Sequence, residues 1–215
     1  MRSGPVKNQF RKPDGWLGRW LLGNMNRRHS GVTDWGLSHV AIPRDGTILD
    51  IGCGGGRTIA KLAAASGSGM VYGIDHSQTS VGLASKMNAE LVHSGRVVIR
   101  QGSVSQLPYA DDKFDLVTAV ETHFFWPDLP NDVREVLRVV APGGMFVIVA
   151  EIFKGANAAM SKRVEKYAPK YGMTLLRPDE HRQLFEDADF EEVQVWTDES
   201  KGWICTLGRK ERLLA

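Results

Sequence analysis

Two stretches hold the residue types that chemistry needs. In Asp50-Ile51-Gly52-Cys53-Gly54-Gly55-Gly56 an acid runs into four glycines, and in Glu121-Thr122-His123-Phe124-Phe125-Trp126 a carboxylate and an imidazole stand among aromatic rings. Glycine tolerates positive φ and lets a ligand approach the backbone closely. Arg57–Ala65 follows with a helical pattern, and the first turn of such a helix offers unpaired N–H groups. A crevice of this kind suits a nucleotide-like ligand. A further acid, Asp75, lies roughly twenty residues beyond Gly52, the separation at which a carboxylate accepts hydrogen bonds from ribose hydroxyls. Asp75 also stands where a helix N-cap could, although Ser77 can take that role.

These residues need elements to position them, and the chain supplies a regular alternation. Apolar strands are expected at 47–51, 69–75, 96–101, 112–120 and 145–150, with helices at 57–65, 77–92 and 130–140 between them. Such alternation predicts an α/β fold, a doubly wound Rossmann-like sheet. In it Glu121–Asp128 lies beside the glycine turn, where the strand order reverses. Ala141-Pro142-Gly143-Gly144 reads as a sharp turn. The segment 151–177 is too long for an ordinary connection and is expected to form a lid at the carboxyl edge. A helix from Pro178 and strands at 191–197 and 202–209 form an antiparallel end. The expected division is an N-terminal basic arm and helical flap over 1–43, then one Rossmann-like domain over 44–215. Helical spacing of Trp16, Leu17, Trp20, Leu21 and Met25 predicts a helix opened by Asp14, either docked on the body or lying at a membrane interface. Thr33 is expected to cap a second one.

The spacing Gly52-x-Gly54-x-x-Arg57 lacks the third glycine of the dinucleotide fingerprint. Asp50 at the strand tip repels a diphosphate and welcomes a cation, so the ligand expected is S-adenosylmethionine, not NAD. With 215 residues the chain can form a large single core. Net charge is only +2, which gives no nucleic-acid signature. The charge is nonetheless uneven: residues 1–30 carry seven Lys or Arg and one acid. That segment reads as a solvated arm, or as one that meets an acidic substrate or membrane surface. Cys53 and Cys205, with no CxxC, fit a reducing, cytoplasmic setting. No apolar run reaches the roughly 20 residues of a membrane span, and the histidines lack metal-ligand spacing.

Taken together, four stretches resemble the class I S-adenosylmethionine-dependent methyltransferases: LDIGCGGG at 49–56, GID at 73–75, GSVSQLPYADDKFDLV at 102–117 and LRVVAPGGMFVI at 137–148. The resemblance covers about residues 40–210 and points to the small-molecule branch. It implies a seven-stranded, mostly parallel sheet closed by an antiparallel hairpin, with Gly52, Gly54 and the nearby backbone holding the methionine part. Asp75 would hold the ribose hydroxyls, and Ser103 and Val104 would flank the adenine. Many relatives carry an acid where Ser103 stands. The Asn/Asp-Pro-Pro-Tyr/Phe tetrapeptide of amino-methylating nucleic-acid enzymes is absent, and Glu121-Thr-His-Phe occupies its place.

The expected cofactor site is therefore Asp50, Gly52, Gly54, Gly56, Asp75, His76, Gly102, Ser103, Val104 and Glu121. Methyl transfer from a sulfonium is an in-line displacement whose main demand is orientation. A general base serves only a poor nucleophile such as a hydroxyl. His123 is the first choice for that base, with Glu121 behind it and His29 a further option; the alternative for His123 is packing. His29, Trp35, Trp126, Tyr167 and Tyr171 are expected at a small-molecule substrate, though His29 could equally be a surface or capping residue. An oxidoreductase and a non-catalytic cofactor-binding subunit are the competing readings.

Overall fold

The structure is a computed structural model, and residues 30–212 are described. The basic arm, the helix expected from Asp14 and His29 lie outside the described residues.

The strands are β1 (Thr47–Ile51), β2 (Met70–Asp75), β3 (Val97–Gln101), β4 (Phe114–Val120), β5 (Val140–Ala150), β6 (Glu191–Asp198) and β7 (Trp203–Arg209). They form one seven-stranded sheet in the order β3-β2-β1-β4-β5-β7-β6. The first five pair in parallel, and β7 runs antiparallel to both β5 and β6. The order reverses between β1 and β4, so their carboxyl ends flank the crevice.

Successive side chains of a strand point to opposite faces, and the central strands are apolar on both. Leu49, Ile51, Val117, Ala119, Phe146 and Ile148 face one way, against Val133 and Val136 of α5 (Leu129–Val139) and Phe185 of α7 (Pro178–Glu186). Ile48, Leu116, Val147 and Val149 face the other, against Val32 of α1 (Ser30–Leu37) and Ile59 and Leu62 of α2 (Arg57–Ala65). Burial on both faces is what a parallel sheet requires.

Three local differences from the sequence reading have identifiable causes. The helix expected to start at Thr33 already includes Ser30, the first described residue, and Thr33 is buried inside it. The Lys61 ammonium fixes this helix, donating to Ser30 Oγ at 3.1 Å and pairing with Asp34. The expected 77–92 helix divides into α3 (Gln78–Met87) and α4 (Ala89–His93) around Asn88. The Asn88 side-chain amide donates to Gly56 O at 3.0 Å and to Ala84 O at 2.9 Å, which ties the break to the glycine turn. β5 starts at Val140 and runs through the expected Pro-Gly-Gly turn. The stretch is a bulge inside the strand: Gly143 has φ 78°, the register with β4 shifts between Phe114 and Leu116, and Gly143 N–H to Lys210 O and Lys210 N–H to Gly144 O, at 2.9 and 3.0 Å, keep it paired.

The 151–177 segment holds α6 (Ala159–Tyr171). Lys154 N–H donates to Leu176 O at 2.9 Å and closes the segment's base. Thr174 N–H donates to Phe124 O at 2.9 Å and joins it to the turn after β4. Among the described residues no helix is long and apolar enough to cross a membrane.

Candidate cofactor and acceptor site

β1 ends in a turn that only glycine accommodates. Gly52 and Gly54 have φ of 70° and 52°, in the region that L side chains rarely enter. A Cβ on Gly52 would overlap the Thr122 side chain, its own Cβ being only 2.7 Å away. The turn is anchored from β2, because the N–H groups of Gly52 and Cys53 both donate to Ile74 O, at 2.8 and 3.1 Å.

Asp75, at the end of β2, is 7% exposed. Its carboxylate accepts from Gly54 N–H at 3.0 Å and Ser77 N–H at 2.8 Å. A carboxylate offers about four lone-pair sites, so acceptor capacity remains for a diol. Ser77 caps α3 itself, its hydroxyl accepting from Ser80 N–H at 3.3 Å, which removes the capping alternative for Asp75. His76 stands half-exposed with Nδ1 3.6 Å from Asp75 Oδ1. Asp75→Ala is expected to weaken S-adenosylhomocysteine binding by about 1–3 kcal/mol, the cost of losing charge-assisted hydrogen bonds. Calorimetry reads this directly, and unchanged affinity would remove Asp75 from the site.

Asp50 does not sit as an exposed charge at the strand tip. It is 1% exposed, pairs with Gly73 and Thr118 across the sheet, and accepts the Thr118 hydroxyl at 2.8 Å. Burial pushes its carboxyl up to about 7, opposed by the Thr118 hydrogen bond and assisted by the nearby Asp75 carboxylate. The ordinary value is 3.8, so the unfolded chain ionises first as pH rises. The fold is therefore unpenalised below about pH 4 and loses stability progressively up to about pH 7, at about 1.4 kcal/mol per pH unit at most. Asp50→Asn is expected to gain thermal stability relative to the parent across that window and to match its slope outside it. Melting curves at several pH values test this.

On the adenine side, Gly102 closes β3, its N–H donating to Asp75 O at 3.0 Å. The Ser103 hydroxyl accepts from Ser105 N–H at 3.2 Å within its own turn, while Val104 is buried. Arg138 braces this loop through the carbonyls of Leu107 and Tyr109, at 3.1 and 2.9 Å, and through Asp111 and Glu135.

Gly56, expected at the cofactor, serves packing instead. A Cβ there would meet Asn88 Nδ2 at 2.6 Å and Ala84 Cα at 2.7 Å, so its missing side chain lets α3 approach the turn. Cys53 is buried, and burial together with Asp50 and Asp75 pushes its thiol well above its ordinary value, which leaves it a packed, inert side chain.

Across the crevice β4 is followed by Glu121, a non-glycine residue at φ 57°. This left-handed kink is held by Glu121 N–H to Val149 O at 2.9 Å and by the Glu121 carboxylate, which accepts from Glu151 N–H. The kink sets Thr122 against Gly52.

His123 turns the other way. It is 2% exposed, and its ring lies 5.1 Å from that of His181 on α7 and 5.2 Å from Phe124. Burial, with His181 beside it, holds it well below the ordinary imidazole value. That corrects its reading as an accessible base. Trp126 is likewise in the core, stacked on Phe146 at 6.2 Å. Trp35 packs edge-on against His39 at 5.0 Å and against Trp203 at 5.8 Å. Tyr167 and Tyr171 stand on the outside of α6, 43% and 37% exposed. The structure thus gathers Gly52, Gly54, Asp75, Val104 and Glu121 at the crevice and takes these aromatic residues elsewhere. Thr118 and Thr122 were missed, because each reads as an ordinary β-former until the strands are paired.

The fit to the expected ligand rests on these observations. A cradle that a Cβ would fill and a buried carboxylate with spare acceptor capacity beside it suit a nucleoside with a ribose diol. Residues 49–148 match the family model described as "Methyltransferase domain". The demethylmenaquinone methyltransferase of Staphylococcus aureus (strain MRSA252) is 30% identical over 190 residues, 76% of this chain and 76% of that protein. The chain belongs to the class I S-adenosylmethionine-dependent methyltransferases. S-adenosylmethionine is the cofactor of that family, and Gly52, Gly54 and Asp75 are where this chain would hold it. The 27-O-demethylrifamycin SV methyltransferase of Amycolatopsis mediterranei is 30% identical over 146 residues, 67% of this chain and 53% of that protein. The first curated relatives are matched over only 38%, 53% and 40% of their own lengths. Among solved structures, the methyltransferase in complex with the Haloferax volcanii Trm112 activator superposes with TM-score 0.78 at 21% identity, covering 92% of this chain and 96% of that one. The [4+2]-cyclase SpnF superposes at 0.69 and 20% identity, covering 85% of this chain and 82% of that one. A shared fold therefore does not fix the chemistry.

Proposed function

We propose that this protein transfers a methyl group from S-adenosylmethionine to a small organic acceptor. The observation that carries the reading is the union of the glycine cradle with the Asp75 carboxylate, which bonds Gly54 and leaves lone pairs free. The relatives named for demethylmenaquinone and 27-O-demethylrifamycin support a small molecule as acceptor. In this reading residues 44–215 are the catalytic domain and 151–177 its lid.

When bound, S-adenosylmethionine supplies an electrophilic methyl group on a positively charged sulfur. The chain's own residues do the rest. Gly52 and Gly54 allow close backbone approach, Asp75 accepts from the ribose hydroxyls, and Val104 offers an apolar side to the adenine. Glu121 stands at the kinked end of β4, opposite the glycine turn, and we assign it, in place of His123, the task of orienting the acceptor and taking its proton. Orientation supplies most of the rate, and a base adds roughly 10²–10⁴-fold where the nucleophile is a hydroxyl.

Calorimetric titration with S-adenosylhomocysteine and NAD, followed by labelled-methyl transfer to a panel of hydroxylated and quinol acceptors, tests the reading. Selective binding of the first ligand and label transfer are expected. Binding with no transfer to any acceptor would favour a non-catalytic partner subunit. Glu121→Gln is expected to lower turnover at least about tenfold while shifting S-adenosylhomocysteine affinity far less; the opposite pattern would make Glu121 a cofactor ligand only.

A further inference from the structure

The outward side of α6 has a composition that the methyl-transfer reading does not use. Lys162, Lys166 and Lys170 recur every fourth residue, and at roughly 3.6 residues per turn they form one stripe. Arg163 lies beside that stripe, followed around the helix by Tyr167 and Tyr171. All four cations are exposed, and among the described residues none is ion-paired. Lys166 Nζ lies 5.8 Å from the Tyr167 ring centre. The helix's one acid, Glu165, is turned back to the lid, where it accepts Gly155 N–H at 3.1 Å. Buried Ser161 and Ala168 form the inward face.

We propose that α6 docks this protein on an anionic membrane surface. The charge is complementary, unneutralised and confined to one face. The tyrosines add rings with an apolar body and a polar tip, which favour the headgroup region. A nucleic-acid partner is disfavoured by the chain's near-balanced charge. The surface lies on the 151–177 segment, which Thr174 N–H to Phe124 O joins to the turn after β4. The proposal does not depend on the identity of the acceptor or on turnover.

Co-sedimentation of the full chain with vesicles of phosphatidylcholine alone, and with phosphatidylglycerol added, tests it. Each basic residue near an anionic surface raises partitioning by roughly fivefold, so binding to the anionic vesicles is expected to exceed binding to the neutral ones at least about tenfold and to fall with added salt. The combined variant Lys162→Gln, Lys166→Gln, Lys170→Gln is expected to lose at least about tenfold of that binding, with its melting temperature and S-adenosylhomocysteine affinity unchanged. Equal retention on both vesicles would overturn the proposal, as would an undiminished variant. So would displacement from anionic vesicles by single-stranded RNA at concentrations where salt of equal ionic strength has no effect.

Discussion

Gly52→Val is expected to weaken S-adenosylhomocysteine binding at least about a hundredfold, equivalent to about 2.7 kcal/mol. Two independent effects combine. At φ 70° an L side chain costs roughly 1–2 kcal/mol, and a β-branched one more. The added Cβ would also collide with the Thr122 side chain, whose Cγ2 lies 3.0 Å from it, so the turn and the end of β4 must separate. Calorimetry gives the affinity, and circular dichroism confirms that the fold survives. Gly52→Ala paired with Thr122→Gly removes the collision and leaves the dihedral strain, so it should recover part of the binding. Wild-type affinity in Gly52→Val would mean that the ligand does not use this turn.

Trp126→Ala is expected to cost about 3–5 kcal/mol of stability, the usual range for removing a large buried ring. Its indole stacks on Phe146, which stacks in turn on Phe185 at 5.0 Å and packs on Phe190 at 5.6 Å. Removing Trp126 thus exposes one end of an aromatic column between β5 and α7. Chemical denaturation measures the loss. A substrate-binding tryptophan would behave differently, leaving stability in place and raising KM, so the two roles separate in one experiment.

The sheet was legible because its strands announce themselves locally. The near-continuous burial of β1, β4 and β5 comes from runs of β-branched and aliphatic residues, and the glycine turn and Asp75 follow from spacing alone. What was not legible depends on pairing distant segments. Asp50 reads as a free charge at a strand tip until Thr118, 68 residues away, is placed beside it. Gly56 reads as a ligand contact until Asn88 folds back on it. His123 and Trp126 sit in a short 3₁₀ turn (His123–Phe125) and its cap. There a small change in backbone angle decides whether a ring faces the cleft or the core, and no periodicity records that choice.

The bond from Thr174 to the Phe124 carbonyl has a mechanical implication. It joins the trailing end of the 151–177 segment to the same short turn that carries Thr122 and follows Glu121, and Glu151 N–H holds the Glu121 carboxylate from the leading end. In the proposed reading, where this segment is the lid, cover and strand tip are geared together: admitting an acceptor by lifting the cover would also reset the angle of the carboxylate. Gate position and the proton-accepting geometry proposed for Glu121 would then form one coordinate, which would keep the reactive arrangement from assembling while the door stands open.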